Sequence, residues 1–107
     1  IVDGEVIEGS NDRGRMQAGV RITDGVSQSV VLIATGAWFD PGFGRAWQPY
    51  DRAGNPNVLT LDIGTSSLAQ GCSGQITVVQ LRKYRGELTP VQAFIPPQPV
   101  SYSTGII

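Results

Sequence analysis

A chain of 107 residues makes one domain, and a 40% hydrophobic content lets it form an ordinary core. Charged residues are only 16% of it, against about a quarter in typical domains, while 14 glycines and 7 prolines favour a turn-rich β domain over a helical bundle. A net charge of −1 without histidine argues against a nucleic-acid surface built on basic excess, and the lone Cys72 excludes an intrachain disulfide and the usual zinc or haem sites. An anionic ligand would have to be held by local hydrogen bonds, because the global field does not steer it. No apolar run is long enough to span a bilayer, so no membrane insertion is expected, and no signal-peptide pattern is visible. The sequence leaves the compartment open. It starts at Ile1 without an initiator Met and reads as a fragment or a C-terminal piece of something longer.

In chain order, Asp3-Gly4 reads as a turn leading into a short strand that ends near Glu8. Ser10-Asn11-Asp12-Arg13-Gly14 is a turn cluster whose glycine suits a positive φ. Met16, Ala18, Val20 and Ile22 then alternate with Gln17, Gly19, Arg21 and Thr23, a period-two strand with one buried face. Asp24-Gly25 marks the next tight turn. From Val26 or Gln28 to Ala34 the run is nearly all apolar, which predicts a strand buried on both faces.

Thr35 to Ala53 departs from this pattern. It gathers Trp38, Phe39, Phe43, Trp47 and Tyr50 on a glycine-rich backbone in a chain otherwise poor in aromatics. Structureless loops beyond about 12–15 residues are uncommon in compact domains and are often functional. The loop reads as a docking surface ahead of a ligand contact, since aromatics are enriched in interface cores. The alternative is that the aromatics cap an open barrel end. Asp40 precedes Pro41 and reads as a turn former rather than an acid catalyst.

Gly54 to Gly71, GNPNVLTLDIGTSSLAQG, organises the chain. Pro56 fixes its own φ and pushes Asn55 towards an extended conformation. Such a turn can aim two side-chain amides and several backbone N–H groups at one point. Gly64 and Thr65 predict the start of a short helix capped by Thr65 or Ser66, with Leu68 facing inward and Gly71 ending it. Amides leading into a helix N-terminus can hold a phosphate-bearing ligand. An ordinary polar loop with one short helix is the plainer reading, because phosphate sites usually show a sharper glycine pattern.

Cys72-Ser73-Gly74-Gln75 is another tight turn, and Ile76 to Tyr84 reads as the last strand. Arg82, Lys83 and Arg85 form a small basic cluster, read as a solvated strand end. Pro90, Pro96, Pro97 and Pro99 prevent regular structure, Phe94 and Ile95 are expected to pack onto something, and the last residues form an extended tail. No catalytic constellation is present. Without histidine there is no Ser–His or Cys–His pair, the carboxylates are scattered one per turn, and Cys72 has no basic neighbour to activate it.

Asn11-Asp12-Arg13-Gly14, Gly36-Ala37-Trp38-Phe39-Asp40-Pro41, Asn57-Val58-Leu59-Thr60 with Gly64-Thr65-Ser66-Ser67-Leu68-Ala69-Gln70-Gly71, and Ala93-Phe94-Ile95-Pro96-Pro97 occur in that order. This ordered set resembles the C-terminal dinucleotide-binding domain of the dimethyl sulfoxide reductase family of molybdenum enzymes. Within the family it is most similar to the trimethylamine N-oxide and biotin sulfoxide reductase branch. The resemblance implies a mainly β fold, a double-psi β-barrel of the aspartate-decarboxylase type, here with a short helix and a long aromatic loop and truncated at its N-terminus. It implies a binding domain over residues 1–97 and a tail over 98–107. It also implies part of a bis(molybdopterin guanine dinucleotide) cofactor with molybdenum, in a parent enzyme whose remaining domains are the partners.

In that family the segment before this one opens the barrel and carries a basic, histidine-containing motif, which has no match here. The family's metal ligand lies on an earlier domain, so Cys72 does not inherit that role and no metal ligand or catalytic residue is assigned. Asn55 and Asn57 are the leading cofactor contacts the resemblance implies, then Gln75, with Asp62 and Gln70 as further candidates that could instead brace the loop. Pterin edges carry donors and acceptors, and amides offer both. The implied function is reduction of S- or N-oxides by oxygen-atom transfer, with no activity expected of this chain alone. Two alternatives stand beside it. One is a non-catalytic interaction module using the aromatic loop. The other is a pyruvoyl-type decarboxylase self-processed at Gly9-Ser10, for which a plain turn is the simpler account.

Overall fold

The computed structural model describes residues 1–42, 49–71, 73–88, 90, 95–96 and 99. They build one four-stranded sheet: β1 (Val6–Ser10), β2 (Arg15–Gly19), β3 (Tyr50–Asp51) and β4 (Gln80–Lys83), in the order β3-β2-β1-β4. β1 runs antiparallel to β2 and to β4, while β3 lies parallel to β2. Single 3₁₀ turns occupy Pro56–Val58 and Gly74–Ile76. The chain is mainly β, as composition and alternation imply, and no α-helix occurs among the described residues.

The register sorts the side chains into two faces. Ile7 opposite Ala18, and Gly9 opposite both Met16 and Leu81, make the apolar one. Val58 and Leu59 pack onto Met16 there, joined by Ala18, Ile33 and Val79. Leu59 is fully buried, so Leu→Ala there carries the ~2–5 kcal/mol typical of such sites. The other face is polar. Glu8 accepts from Arg82 Nε and Nη2 across β1–β4, Gln17 donates to the Tyr50 hydroxyl, and Arg15 lies 5.4 Å above the Tyr50 ring. Buried Glu8 and Gln17 are thus partnered, as buried polar groups must be.

The β1–β2 turn is the Asn11–Gly14 cluster, and it does more than reverse the chain. Asn11 Oδ1 accepts from Arg13 N and Gly14 N, while its Nδ2 donates to Leu59 O at 2.8 Å and Val78 O at 3.2 Å. Arg13 Nε donates to the same Leu59 carbonyl at 2.7 Å. Gly14 does not have the positive φ expected of it. Close approach is what requires glycine, since a Cβ there would stand 2.3 Å from Val58 O and 2.8 Å from Pro49 O. The hairpin turn therefore clamps Val58 and Leu59 against the sheet.

Several predicted elements come out differently. The Met16–Thr23 strand stops at Gly19: Val20 N still donates to Glu5 O and Gly4 N to Val20 O, but Gly4, at φ +84°, turns the partner chain away, and Ile22 is exposed. The Val26–Ala34 strand is absent. A turn inside the run, in which Val30 N donates to Ser27 O, breaks the extended backbone a strand needs, and Val30, Val31 and Leu32 are exposed. The last strand pairs only from Gln80, because β1 opposite it gives way to the Asn11 turn; Val78 is met there by a side-chain amide instead of a ladder.

The Thr65–Gly71 helix is also absent, although its capping bonds exist. Ser66 Oγ accepts from Leu68 N and Ala69 N, and Thr65 Oγ1 from Gly71 N. Leu68, expected inward, is 97% exposed, so no buried face holds a helix in place. Ile95, expected to pack, is exposed as well. Gly9-Ser10 lies inside β1, paired to Met16 and Arg15. Phe43, Trp47, Cys72 and Phe94 lie outside the described residues, as does the tail at 98–107 apart from Pro99.

Candidate functional site

The turn at 53–57 is built on Asp51, which has no solvent exposure at the end of β3. Its Oδ2 accepts from Ala53 N at 2.9 Å and Asn55 N at 2.7 Å, and its Oδ1 from Asp40 N at 2.8 Å. A buried carboxylate is tolerated only when its lone pairs are occupied, and these three N–H groups occupy them. Gly54, at φ +85°, then reverses the chain. Asn55 is extended (φ −78°, ψ 115°), as its place before proline requires. Its Oδ1 caps the 3₁₀ turn by accepting from Asn57 N at 2.9 Å, and its Nδ2 donates to Ala37 O at 3.0 Å.

Asn55, expected to present its amide to a ligand, thus uses both ends of that amide to hold the turn. Asn57 is different. It is exposed, and among the described residues its side-chain amide has no hydrogen-bond partner, while its carbonyl accepts from Thr60 Oγ1. Asp62 and Gln70 are exposed on the segment that follows. Gln70 lies against Gly64, where a Cβ would stand 2.0 Å from its Oε1, which favours the bracing role. The Gln75 backbone sits in the second 3₁₀ turn, and its side chain lies outside the described residues. The structure therefore brings Asn55 and Asn57 together on one turn, with Asn57 as the outward-facing member.

Asp40 is the turn former expected of it: Oδ1 accepts from Gly42 N at 3.0 Å and pairs with Arg52 Nε at 3.2 Å. The basic cluster is largely neutralised, Arg82 by Glu8 and Lys83 by Glu5. The Lys83 ammonium first, and the Val2 N–H second, hold the Glu5 carboxyl below the usual carboxylate range. Tyr50 is pushed up to about 12, chiefly by desolvation and then by Tyr84 and Glu8. Among the described residues no group of histidine, cysteine, aspartate and glutamate could hold a metal ion.

Asp51 is the residue that sequence reasoning missed. Its signal is the spacing in Tyr50-Asp51-Arg52-Ala53-Gly54-Asn55, an aspartate two and four residues ahead of the amides it receives, closed by a glycine.

Comparison with known proteins decides the family. The family described as "Molydopterin dinucleotide binding domain" matches residues 1–78. The chain belongs to this family. Members of full length give the same picture. The dimethyl sulfoxide/trimethylamine N-oxide reductase of Rhodobacter capsulatus is 41% identical over 98 residues, 92% of this chain and 12% of its own length. The trimethylamine-N-oxide reductase of Salmonella typhimurium is 44% identical over 94 residues, 88% of this chain and 11% of its own. Trimethylamine-N-oxide reductase 1 of Escherichia coli K12 is 43% identical over 91 residues, 85% and 11% respectively. This chain thus spans about one eighth or less of the relatives it matches. For a molydopterin dinucleotide binding domain, the clamp from Asn11 to Gly14 and the Asp51–Asn57 turn both fall within residues 1–78.

Proposed function

We propose that this chain holds part of a bis(molybdopterin guanine dinucleotide) cofactor, with molybdenum, within a larger oxidoreductase that reduces S- or N-oxides. When bound, the group supplies the redox and oxygen-atom-transfer chemistry, and the protein supplies binding and orientation. The observation that carries the reading is the Asn57 amide. It is exposed on a turn fixed from behind by Asp51, Asn55 and the Asn11–Arg13 clamp. The donor set fits the group, because a primary amide donates and accepts at once, as a pterin edge requires. Asp62 is a secondary contact in this reading and Gln75 completes the set, while Gln70 braces the loop at Gly64. The domain's whole fold is a double-psi β-barrel, which the hairpin and the parallel β2–β3 pair support.

The partner is the rest of the parent polypeptide. Trp38 is 70% exposed, with Phe39, Val30, Val31 and Leu32 also exposed, an apolar group that in a relative eight times longer has chain available to cover it. The 107-residue chain alone turns over no S- or N-oxide. In the full-length enzyme, Asn57→Ala lowers molybdenum and guanine content while the fold persists, by the ~1–3 kcal/mol of a lost buried partner. Unchanged molybdenum and guanine would remove Asn57 from the site.

A further inference from the structure

Two segments on either side of β3 meet at Asp51. One is the start of the aromatic stretch, Ala37 to Gly42, and the other is the turn that carries Asn57. Asp51 Oδ1 receives Asp40 N from the first, and Oδ2 receives Ala53 N and Asn55 N from the second. Asn55 Nδ2 adds a bond to Ala37 O, and Arg52 N one to Asp40 O at 2.9 Å. Trp38 and Phe39 lie between the two anchored positions, Ala37 and Asp40, and both are exposed. With both oxygens engaged and no exposure, the carboxylate cannot release either segment without leaving the oxygen that held it buried and short of partners.

We propose that Asp51 is a positioning residue that couples the Trp38–Phe39 surface to the Asn57 turn. What packs on the surface is felt at the turn, and filling the turn orders the surface. Asp51 touches no ligand itself. Its carboxylate makes one mechanical unit of two segments that share no strand pairing. The inference rests on the reading that the 55–57 turn holds the cofactor.

The test uses the full-length enzyme, loaded and cofactor-free, with peptide-resolved hydrogen–deuterium exchange and molybdenum and guanine analysis. In the parent sequence, loading slows exchange in the peptides covering both 37–42 and 53–57. Asp51→Asn keeps the shape but puts an NH₂ against one of the N–H donors. It is expected to retain slowing at 53–57, to lose roughly tenfold of the protection at 37–42, and to bind cofactor less completely. Asn55→Ser keeps a cap for Asn57 N and removes only the bond to Ala37 O. It is expected to uncouple the two peptides in part, and it carries the test if Asp51→Asn does not fold. Both peptides responding together in the variants as in the parent would overturn the coupling while leaving the cofactor site intact. An Asn57→Ala enzyme with undiminished cofactor, and loading without effect on 53–57 in the parent, would instead overturn the reading of the site on which the coupling rests.

Discussion

Gly14 is the residue at which the hairpin and the candidate site are joined. The two atoms that a Cβ would meet are the carbonyl oxygens of Val58 and Pro49, held by the chain around them rather than at the end of a flexible side chain. Gly14→Ala must therefore push Leu59 and its neighbours off the sheet or break the Asn11 clamp. The expected loss is ~1–3 kcal/mol, read as a lower midpoint in chemical denaturation followed by circular dichroism. A variant as stable as the parent would show that the close approach is dispensable. Tyr50 gives a second test on the polar face. Its phenol ionises at about 12 rather than 10, so the folded state holds its proton more tightly than the unfolded chain. That contribution to stability is complete below pH 10 and is lost as pH rises from about 10 to about 12. Absorbance at the phenolate band should show a late-titrating tyrosine that disappears in Tyr50→Phe. A titration complete near the ordinary tyrosine value in the parent would refute the desolvated setting.

At the scale of the element, what could be read in advance depended on whether a segment's structure was decided locally. Asn11-Asp12-Arg13-Gly14, Asp3-Gly4 and Asn55-Pro56 are turns fixed by side-chain amides, glycine and proline within a few residues, and all three form. The Met16–Ala18 alternation likewise fixes which face of β2 is apolar. Val26–Ala34 was not legible in this way, because a continuous apolar run states that it wants burial and not what will bury it. Ser66 shows the same limit from the other side. Its hydroxyl makes the two amide bonds of an N-cap, yet no helix follows, since Leu68 has nothing to pack against. At the candidate site the Asn55-Pro56-Asn57 turn is legible locally, and it leaves Asn57 exposed. Asn55, expected as a ligand group, spends its amide on Asn57 N and Ala37 O, and the second partner, 18 residues away, is beyond what local spacing reads. Asp51 is legible only in part: its bonds to Ala53 N and Asn55 N follow from local spacing, but its third donor, Asp40 N, comes from a segment that spacing does not connect to it.

At the scale of the whole molecule, the distribution of apolar surface is uneven. Among the described residues Ile7, Met16, Val58 and Leu59 are the buried hydrophobics, while Leu32, Trp38 and Phe39 stand in solvent. A groove of about 610 Å³ runs along the apolar face of the sheet, between Met16, Ala18 and Leu81 on one side and Val30 to Ala34 on the other. Covering such a surface gains roughly 25 cal/mol for each Å² of apolar area. A parent chain of the relatives' length has the mass to cover it, since this chain accounts for only 12% of the Rhodobacter capsulatus enzyme. Hydroxyl-radical labelling separates the possibilities. Trp38 and Leu32 should be oxidised readily in the 107-residue chain and protected in the full-length enzyme. Trp38→Ser with Leu32→Ser should reduce binding of a hydrophobic dye by the isolated chain and loosen this domain in the parent, seen as faster proteolytic release. Equal labelling of Trp38 in both would mean that the rest of the enzyme does not dock there, and the exposed aromatics would then need another partner.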